Sequence, residues 1–233
     1  MATIENDTAT RLLDAILAHV PFDGWSQTAF EAAISDTDIS PAVARGLFPR
    51  GAVDMAAAFH RRGDDAMARA LKERDLSAMR FRDKVALAVR LRLEAVEDKE
   101  AVRRGMTLFA RPPHSAEGAR LVWNTADRIW TALGDNSDDI NWYTKRATLS
   151  GVYSATVLYW LGDDSPDHRA TWEFLDRRID DVMQIEKLKA QIRKTPGLGQ
   201  MMKGTETALS RLASPKAAHG DLPGGWSLKR SPR

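Results

Sequence analysis

The chain has no cysteine among its 233 residues, which excludes disulfides, thiolate catalysis and cysteine-ligated metal sites. It also has no apolar run near the roughly 18 residues that a membrane-spanning helix needs. The net charge is only +2, so the chain as a whole lacks the strong positive field of a nucleic-acid binder. The N-terminal segment MATIENDTAT is acidic and polar, unlike a signal peptide. These absences favour a cytoplasmic protein whose membrane contact is peripheral.

Motifs for catalysis are missing too. The five histidines have no metal-ligand spacing, and no glutamate is followed by histidine three residues later, so the di-iron carboxylate pattern is absent. There is no nucleophile elbow, Walker loop or dinucleotide-binding glycine triplet. The pairs Asp138/Asp139 and Asp163/Asp164 could mimic catalytic acids, but such residues at helix starts are better explained as caps. We therefore predict a binding protein that is not an enzyme and holds no metal or cofactor.

Helical periodicity, by contrast, runs through most of the chain. Helices are predicted at about 8–20, 26–36, 41–48, 51–73, 79–96, 100–110, 115–133, 141–161 and 164–194, and no segment has a strand pattern. Ser26 and Ser40 are predicted N-caps and Gly134 a helix terminator. Pro21 is expected to break the first helix, and Gly63 is a candidate kink in the fourth. The pattern predicts an all-α fold.

Aromatic residues concentrate in the middle of the chain, where five of the seven tryptophans lie between Trp123 and Trp172. The helix at 141–161 has an apolar face and is nonpolar on much of its remaining surface, so we expect burial on several sides. Trp142 and Tyr143 begin this helix, just after Asp138 and Asp139. Large aromatics at a helix entrance are either core residues or contacts offered to a partner.

The first 50 residues have the pattern of a helix-turn-helix head followed by a helical body. The segment ISPAVARGLFPRGAVDMAAAF resembles the end of the DNA-binding head of TetR-family repressors. Two hypotheses follow, a DNA-binding regulator or a scaffold that no longer reads DNA. The third helix offers only Arg45, with Arg50 just beyond it, whereas DNA binding needs several basic and hydrogen-bonding side chains. We therefore expect no nucleic-acid partner.

The C-terminal region has a composition of its own. At 196–213 the spacing predicts a separate amphipathic helix flanked by basic residues, which is typical of a helix lying on an anionic membrane. Packing on a partner, on a dimer mate or back on the body are the alternatives. The candidate membrane-binding residues are Leu198, Met201, Met202, Leu209 and Leu212. The basic tail at 214–233 is rich in proline, glycine and serine and is predicted to be disordered.

Six segments resemble the COQ9 family of ubiquinone-biosynthesis accessory proteins. They are HVPFDGWS, LFPRGAVDM, FHRRGD, VRLRLE, GDNSDDINWYTKRATLSGVYSATVLYWLGDDSPD and TWEFLDRRIDDVM. The resemblance covers about 10–194, and the absence of a mitochondrial presequence suggests a bacterial member. It implies a TetR-like homodimer with a head at about 8–50 and a lipid-binding body at about 51–195.

The resemblance also implies a function without catalysis. The family binds phospholipid or isoprenoid quinone intermediates at the membrane, here the inner membrane, and presents them to the demethoxyubiquinone hydroxylase COQ7. The implied hydroxylase-binding surface combines acidic, aromatic and aliphatic residues. In this chain they are Leu93, Ile129, Asp139, Trp142 and Tyr143.

A polyprenyl tail needs a pocket with apolar walls. The two central helices carry the candidate lining residues, for each of which plain core packing is the alternative. These candidates are Leu121, Val122, Trp123, Val152, Tyr153, Val157 and Trp160. A TetR-type regulator and a plain helical interaction module remain the competing functional hypotheses.

Overall fold

The computed structural model describes residues 2–137 and 140–194, which form α-helices and one 3₁₀ turn and contain no strand. The helices are α1 (Ala2–Asp23), α2 (Gln27–Thr37), α3 (Pro41–Leu47), α4 (Ala52–Lys72), α5 (Phe81–Glu94), α6 (Lys99–Phe109), α7 (Ser115–Ala132), α8 (Ile140–Leu161) and α9 (Arg169–Lys194). The 3₁₀ turn, Pro166–His168, precedes α9. The predicted all-α fold is confirmed. In this part of the chain no helix is long and apolar enough to cross a membrane.

Three predicted helix boundaries depend on local signals that the structure confirms. Ser26 Oγ accepts the Ala29 amide at 3.1 Å, and Ser40 Oγ accepts the Val43 amide at 3.3 Å, so both serines cap their helices. Helix α7 ends at Ala132, and Gly134, whose φ of +79° is left-handed, stops it from continuing. The Gly134 and Asp135 amides donate back to the carbonyls of α7, which is the Schellman arrangement.

The predicted end of the first helix at Pro21 is wrong, because Pro21 lies inside α1. A proline in the last turn removes only one backbone donor, and the Pro21 carbonyl accepts a hydrogen bond from Arg104 Nη2 at 2.9 Å. The helix ends two residues later, where Gly24 has a φ of +65° and its amide donates to the Val20 carbonyl at 2.9 Å. The glycine therefore sets the boundary.

The side chains form two hydrophobic clusters. One lies in the head, where α1, α2, α3 and the start of α4 pack around Ile16, Phe30 and Met55, and α6 contributes Ala101 and Leu108. The other lies in the body, where α4, α5, α7, α8 and α9 pack together. Helix α4 belongs to both clusters and connects them.

Helix α8 is buried on one face rather than on several. The predicted apolar face is at most 8% exposed at every position: Leu149, Val152, Tyr153, Thr156, Val157 and Trp160. The opposite face is open, since Leu158 is 60% and Tyr159 39% exposed. Helices α7 and α9 supply the main contacts of α8, so two neighbours cover one side and leave the other uncovered.

The predicted membrane helix at 196–213, the tail at 214–233 and Asp139 lie outside the described residues.

Candidate functional site

A cleft of about 240 Å³, here called the first cleft, lies among α4, α5, α6, α7 and α8. Four of the seven predicted lining residues do line it, Leu121 and Val122 from α7 and Tyr153 and Val157 from α8. Its other apolar walls come mainly from α4 and α6, which the sequence prediction missed: Ala56, Phe59, Val102, Met106 and Phe109. The first cleft is therefore enclosed by apolar side chains from several helices.

The other three predicted lining residues lie elsewhere. Val152 lines a different cleft, because it precedes Tyr153 and so faces another side of α8. Trp160 is buried in the core, with Lys99 Nζ 5.1 Å from its ring centroid. Trp123 lies half-buried against Trp142. These three residues do not line the first cleft, because helical periodicity identifies an apolar residue without identifying its neighbour.

A buried polar network, formed by His60, Asp64, Arg92 and Thr125, underlies the first cleft. Arg92 is only 4% exposed, and its Nε donates to Asp64 Oδ1 at 2.6 Å while its Nη2 donates to the His60 carbonyl at 2.9 Å. Thr125 Oγ1 donates to the same Asp64 oxygen at 3.0 Å and lies 2.8 Å from His60 Nε2. These contacts connect α4, α5 and α7 through polar side chains.

The environment of this network changes the ionisation of its members. Burial, and then the positive charge of Arg92, lowers the pKa of His60 from 6.5 to about 3, so the imidazole is neutral near pH 7. Burial raises the pKa of Asp64, and the ion pair with Arg92 opposes that rise. A charged side chain in an apolar interior needs a partner of opposite charge, and here Arg92 and Asp64 are partners of each other.

Gly63 makes room for this ion pair. A Cβ atom at Gly63 would lie 2.4 Å from Arg92 Nη1, closer than carbon and nitrogen can approach. Helix α4 runs without a break through this position, so Gly63 is not a kink. The glycine allows the guanidinium to pack directly on the backbone of α4.

Tyr153 supplies a further polar group to the first cleft. It is 4% exposed, and its ring centroid lies 6.0 Å from the Arg92 guanidinium carbon. That polar group is its phenol hydroxyl. Burial raises the pKa of this hydroxyl, which keeps it protonated.

A second cleft, of about 270 Å³, lies among α5, α7, α8 and α9. Val85, Leu149, Val152 and Ile179 form its apolar floor, and Trp130 forms part of its wall. Phe81 is half-exposed at the edge and stacks on the Trp130 ring with the centroids 5.5 Å apart. Nothing in the sequence alone indicated this cleft, because its walls come from four separate helices.

Near the start of α8, three aromatic side chains form what we call the aromatic group, Trp123, Trp142 and Tyr143. The ring centroids of Trp142 and Tyr143 are 4.8 Å apart, and Trp123 lies 5.9 Å from Trp142 and 6.4 Å from Tyr143. All three are partly exposed. Adjacent helices thus present a continuous aromatic surface.

Arg146 supports the aromatic group from below. It is 2% exposed, and its guanidinium carbon lies 4.0 Å from the Trp142 ring centroid. Its Nε donates to Asp127 at 2.5 Å and its Nη1 to Asp135 at 3.1 Å. Burial alone would raise the pKa of Asp135, but hydrogen bonds from Lys145, Ser137 and Arg146 together hold it below the ordinary value. These contacts tie α7 and the loop after it to the start of α8.

The expected surface position of two partner-binding candidates is wrong. Leu93 is 2% exposed and Ile129 is fully buried, and both belong to the hydrophobic cluster of the body. The resemblance to the family identified which residues correspond in the sequence, but it did not determine whether their side chains are exposed. Of the predicted hydrophobic contacts, Trp142 and Tyr143 alone reach the surface of the described chain.

A short helical head, a long connecting helix and a body with an apolar cleft define a TetR-like all-α protein. The structure is similar to that of a TetR transcriptional regulator from Nitrosomonas europaea, with a TM-score of 0.63 over 75% of this chain and 97% of that one. Only 16% of the aligned residues are identical, so the likeness shows the fold alone.

Sequence relatives identify the family. A model of the COQ9 family matches residues 115–186. The chain is 31% identical to the mitochondrial ubiquinone biosynthesis protein COQ9-B of Xenopus laevis, covering 82% of this chain and 68% of that protein. It is 33% identical to the mitochondrial COQ9 protein of Drosophila melanogaster over 78% of this chain. The chain belongs to the COQ9 family. It spans 57% of the length of the Drosophila protein and 62% of that of its Xenopus tropicalis relative.

Proposed function

We propose that the chain serves ubiquinone biosynthesis as a non-catalytic lipid-binding protein. Its ligand is an isoprenoid or quinone intermediate, or a phospholipid, and it presents the intermediate to a COQ7-type demethoxyubiquinone hydroxylase. The observation that carries the proposal is the apolar first cleft in a member of a family whose relatives are named as ubiquinone biosynthesis proteins.

The chemistry of the first cleft supports an apolar ligand. The charged groups beneath it pair with each other, so they demand no counter-charge from a ligand. Each methylene group that leaves water for such a cleft contributes about 0.8 kcal/mol. At about 240 Å³ the cleft is smaller than a site for a whole drug-sized ligand, so it holds one part of a long polyprenyl chain.

The same network supports binding rather than catalysis. His60 Nε2 lies 2.8 Å from Thr125 Oγ1, and the His60 pKa of about 3 makes the imidazole a poor base. Asp64 is engaged by Arg92 and Thr125 together. With these partners, His60 and Asp64 stabilise the wall of the first cleft.

Lipid retention tests the first half of the proposal. Native mass spectrometry of the purified full-length chain should show adducts with the mass of a phospholipid or an isoprenoid quinone. A chain that carries no adduct and takes up none from mixed vesicles would contradict lipid binding.

The aromatic group supports the second half of the proposal, since partly exposed tryptophan and tyrosine side chains are common binding hot spots. Trp142→Ala should weaken hydroxylase binding by about 2 kcal/mol, measured by titration calorimetry. Phe22→Ala, at an aromatic residue 82% exposed at the end of α1, is the matched control and should bind normally. Unchanged binding by Trp142→Ala, or loss of the helical melting transition, would refute a role for Trp142 in partner contact.

Membrane association and dimerisation complete the proposal. The predicted amphipathic helix at 196–213 would hold the protein peripherally on the inner membrane. The exposed apolar residues Leu158, Tyr159 and Met183 on α8 and α9 support a homodimer. Deleting 196–233 should abolish liposome binding, and Leu158→Glu should convert a dimer into a monomer in analytical ultracentrifugation. Unchanged liposome binding would favour a plain helical interaction module.

The competing hypothesis is a TetR-type DNA-binding regulator, which the fold favours. Arg50 argues against it, because its guanidinium is held by Asp54 at 2.6 Å and by Glu117 at 2.8 Å. Arg45 is then the basic residue that α3 itself offers. A gel-shift screen at several salt concentrations should detect no sequence-specific complex, and a specific complex would favour the regulator.

A further inference from the structure

Two buried hydrogen-bond donors at the second cleft have no hydrogen-bond partner among the described residues. They are Trp130 Nε1 and Arg82 Nε, and both residues line that cleft. Trp130 is only 9% exposed. An unsatisfied buried donor costs about 1–3 kcal/mol, so natural proteins retain few of them. Two such donors at one cleft indicate a missing acceptor.

The charges around this cleft are already neutralised. Arg82 Nη2 pairs with Asp180 at 2.7 Å and also donates to the Asp176 carbonyl. Lys145 pairs with Asp135 at 2.6 Å. An anionic ligand would therefore compete with existing carboxylates, whereas a neutral acceptor would meet only the unused donors.

The walls of the second cleft suit a ring that carries an apolar chain. Phe81 and Trp130 stack with an interplanar angle of 25° at its edge, and a half-exposed phenyl ring at that position can move aside for another planar group. Val85, Leu149 and Ile179 make the floor apolar. A volume of about 270 Å³ accommodates one substituted ring and the first part of a chain.

We propose that the second cleft is a binding site for a neutral carbonyl-bearing ring with an apolar substituent, whose carbonyl oxygens accept hydrogen bonds from Trp130 Nε1 and Arg82 Nε. The site itself follows from the unpaired donors. The choice of a quinone as the ring rests on the proposed function. Val152 lines this proposed ring-binding cleft, and the next residue, Tyr153, lines the first cleft, which would bind the chain. The two clefts therefore lie on different sides of α8.

The indole proton of Trp130 reports directly on this site. In full-length protein labelled with ¹⁵N-tryptophan, seven indole signals are expected, and the one that Trp130→Phe removes belongs to Trp130. Titration with a decyl-substituted benzoquinone should move that signal downfield, as a new hydrogen bond requires. Decylbenzene, which has the chain and ring but no carbonyl, is the matched probe and should produce no downfield shift. An equal response to both probes, or no response to the quinone, would overturn the proposal.

Two variants test the donors separately. Trp130→Phe keeps a ring at the site and removes Nε1–H, while Arg82→Lys keeps the charge facing Asp180 and removes Nε–H. Trp130→Phe should weaken quinone binding about 3- to 10-fold, the effect of one neutral hydrogen bond. Arg82→Lys should weaken it at least as much, because the guanidinium is a charged donor. Unchanged affinity in both variants would refute the assignment.

The first cleft supplies the control that separates this inference from the proposed function. Gly105 lines the first cleft, and a Cβ there would meet Trp25 Nε1 at an ordinary 3.5 Å, so Gly105→Leu fills the cleft without a clash at its first carbon. The Trp130 shift should persist in this variant. If Gly105→Leu abolishes quinone binding and the Trp130 indole signal of the unmodified protein does not shift with quinone, the second site alone is refuted. If the unmodified protein binds no quinone at all, both the second site and the proposed function are refuted. A Trp130 shift produced by protein concentration without probe would assign the cleft to a second copy of the chain instead.

Discussion

The two clefts differ little in volume, about 240 and 270 Å³, but they differ in how their polar groups are satisfied. Beneath the first cleft, Arg92, Asp64, Thr125 and His60 form a closed network. At the second cleft, Trp130 Nε1 is buried and has no acceptor within the described part of the chain. A network whose hydrogen bonds are all made stabilises the fold. A buried donor without an acceptor destabilises the ligand-free protein, so a ligand that supplies the acceptor binds more tightly. The first cleft is therefore suited to an apolar chain and the second to a polar ring.

The largest effect is expected when the network beneath the first cleft is opened. Arg92→Met leaves Asp64 buried without its partner and should lower the free energy of unfolding by about 3–5 kcal/mol in urea titrations. The double variant Asp64→Leu/Arg92→Met removes both charges and should recover much of the loss. If Arg92→Met lowers the free energy of unfolding by less than about 1 kcal/mol, the range of a surface ion pair, then Arg92 and Asp64 do not form a buried network.

A smaller effect is expected when the space for Arg92 is filled. Gly63→Ala places a methyl group 2.4 Å from Arg92 Nη1 and should destabilise the protein by about 1–3 kcal/mol, because the ion pair resists displacement. Gly151→Ala is the matched control, since a Cβ there meets no atom within 4 Å. It should stabilise α8 by up to about 1 kcal/mol. The same outcome for both variants would contradict the close approach of Arg92 to α4.

Acid should open the same network through His60. Its folded pKa of about 3 lies below the ordinary 6.5, so this contribution to stability is complete above pH 6.5 and is lost as the pH falls toward 3. The loss reaches about 1.4 kcal/mol per pH unit in that window. His60→Gln should flatten the pH dependence of urea midpoints, while His114→Gln, outside the network, should not. An unaltered slope in His60→Gln would show that His60 is not the group responsible.

The smallest effect is expected at the second cleft. Trp130→Phe removes a donor that makes no hydrogen bond to residues 2–137 or 140–194, so the free energy of unfolding should change by less than about 1 kcal/mol. Trp25→Phe is the contrasting variant, because Trp25 Nε1 donates to the Ala101 carbonyl at 3.0 Å and its loss leaves a buried acceptor unpaired. It should cost about 1–3 kcal/mol in thermal or urea unfolding. A larger cost for Trp130→Phe than for Trp25→Phe would show that Trp130 already has a partner.

Features set by a few neighbouring residues could be predicted from the sequence. Ser26 and Ser40 cap their helices, and Gly134 ends α7, because each acts on a backbone turn next to it in the chain. The buried face of α8 followed from its periodicity. These signals suffice for the order of the helices and the all-α fold.

Features that join distant segments could not be predicted in this way. In the sequence, Arg92 is one of several arginines on a predicted helix. It forms a buried ion pair only because the fold brings it against Asp64, 28 residues earlier in the chain. The role of Gly63 depends on that same contact. Leu93 and Ile129 were expected at the surface because a resemblance gives residue positions, whereas exposure depends on which helices pack over them.

If the first cleft holds an apolar ligand, a side chain that fills the cleft should displace that ligand. Native mass spectrometry should compare lipid retained by full-length Gly105→Leu and by Gly46→Leu, whose added side chain meets no atom within 4 Å at its Cβ. We expect Gly46→Leu to retain lipid like the unmodified chain and Gly105→Leu to lose most of it while still folded. Equal lipid retention by the two variants would contradict binding of that ligand in the first cleft.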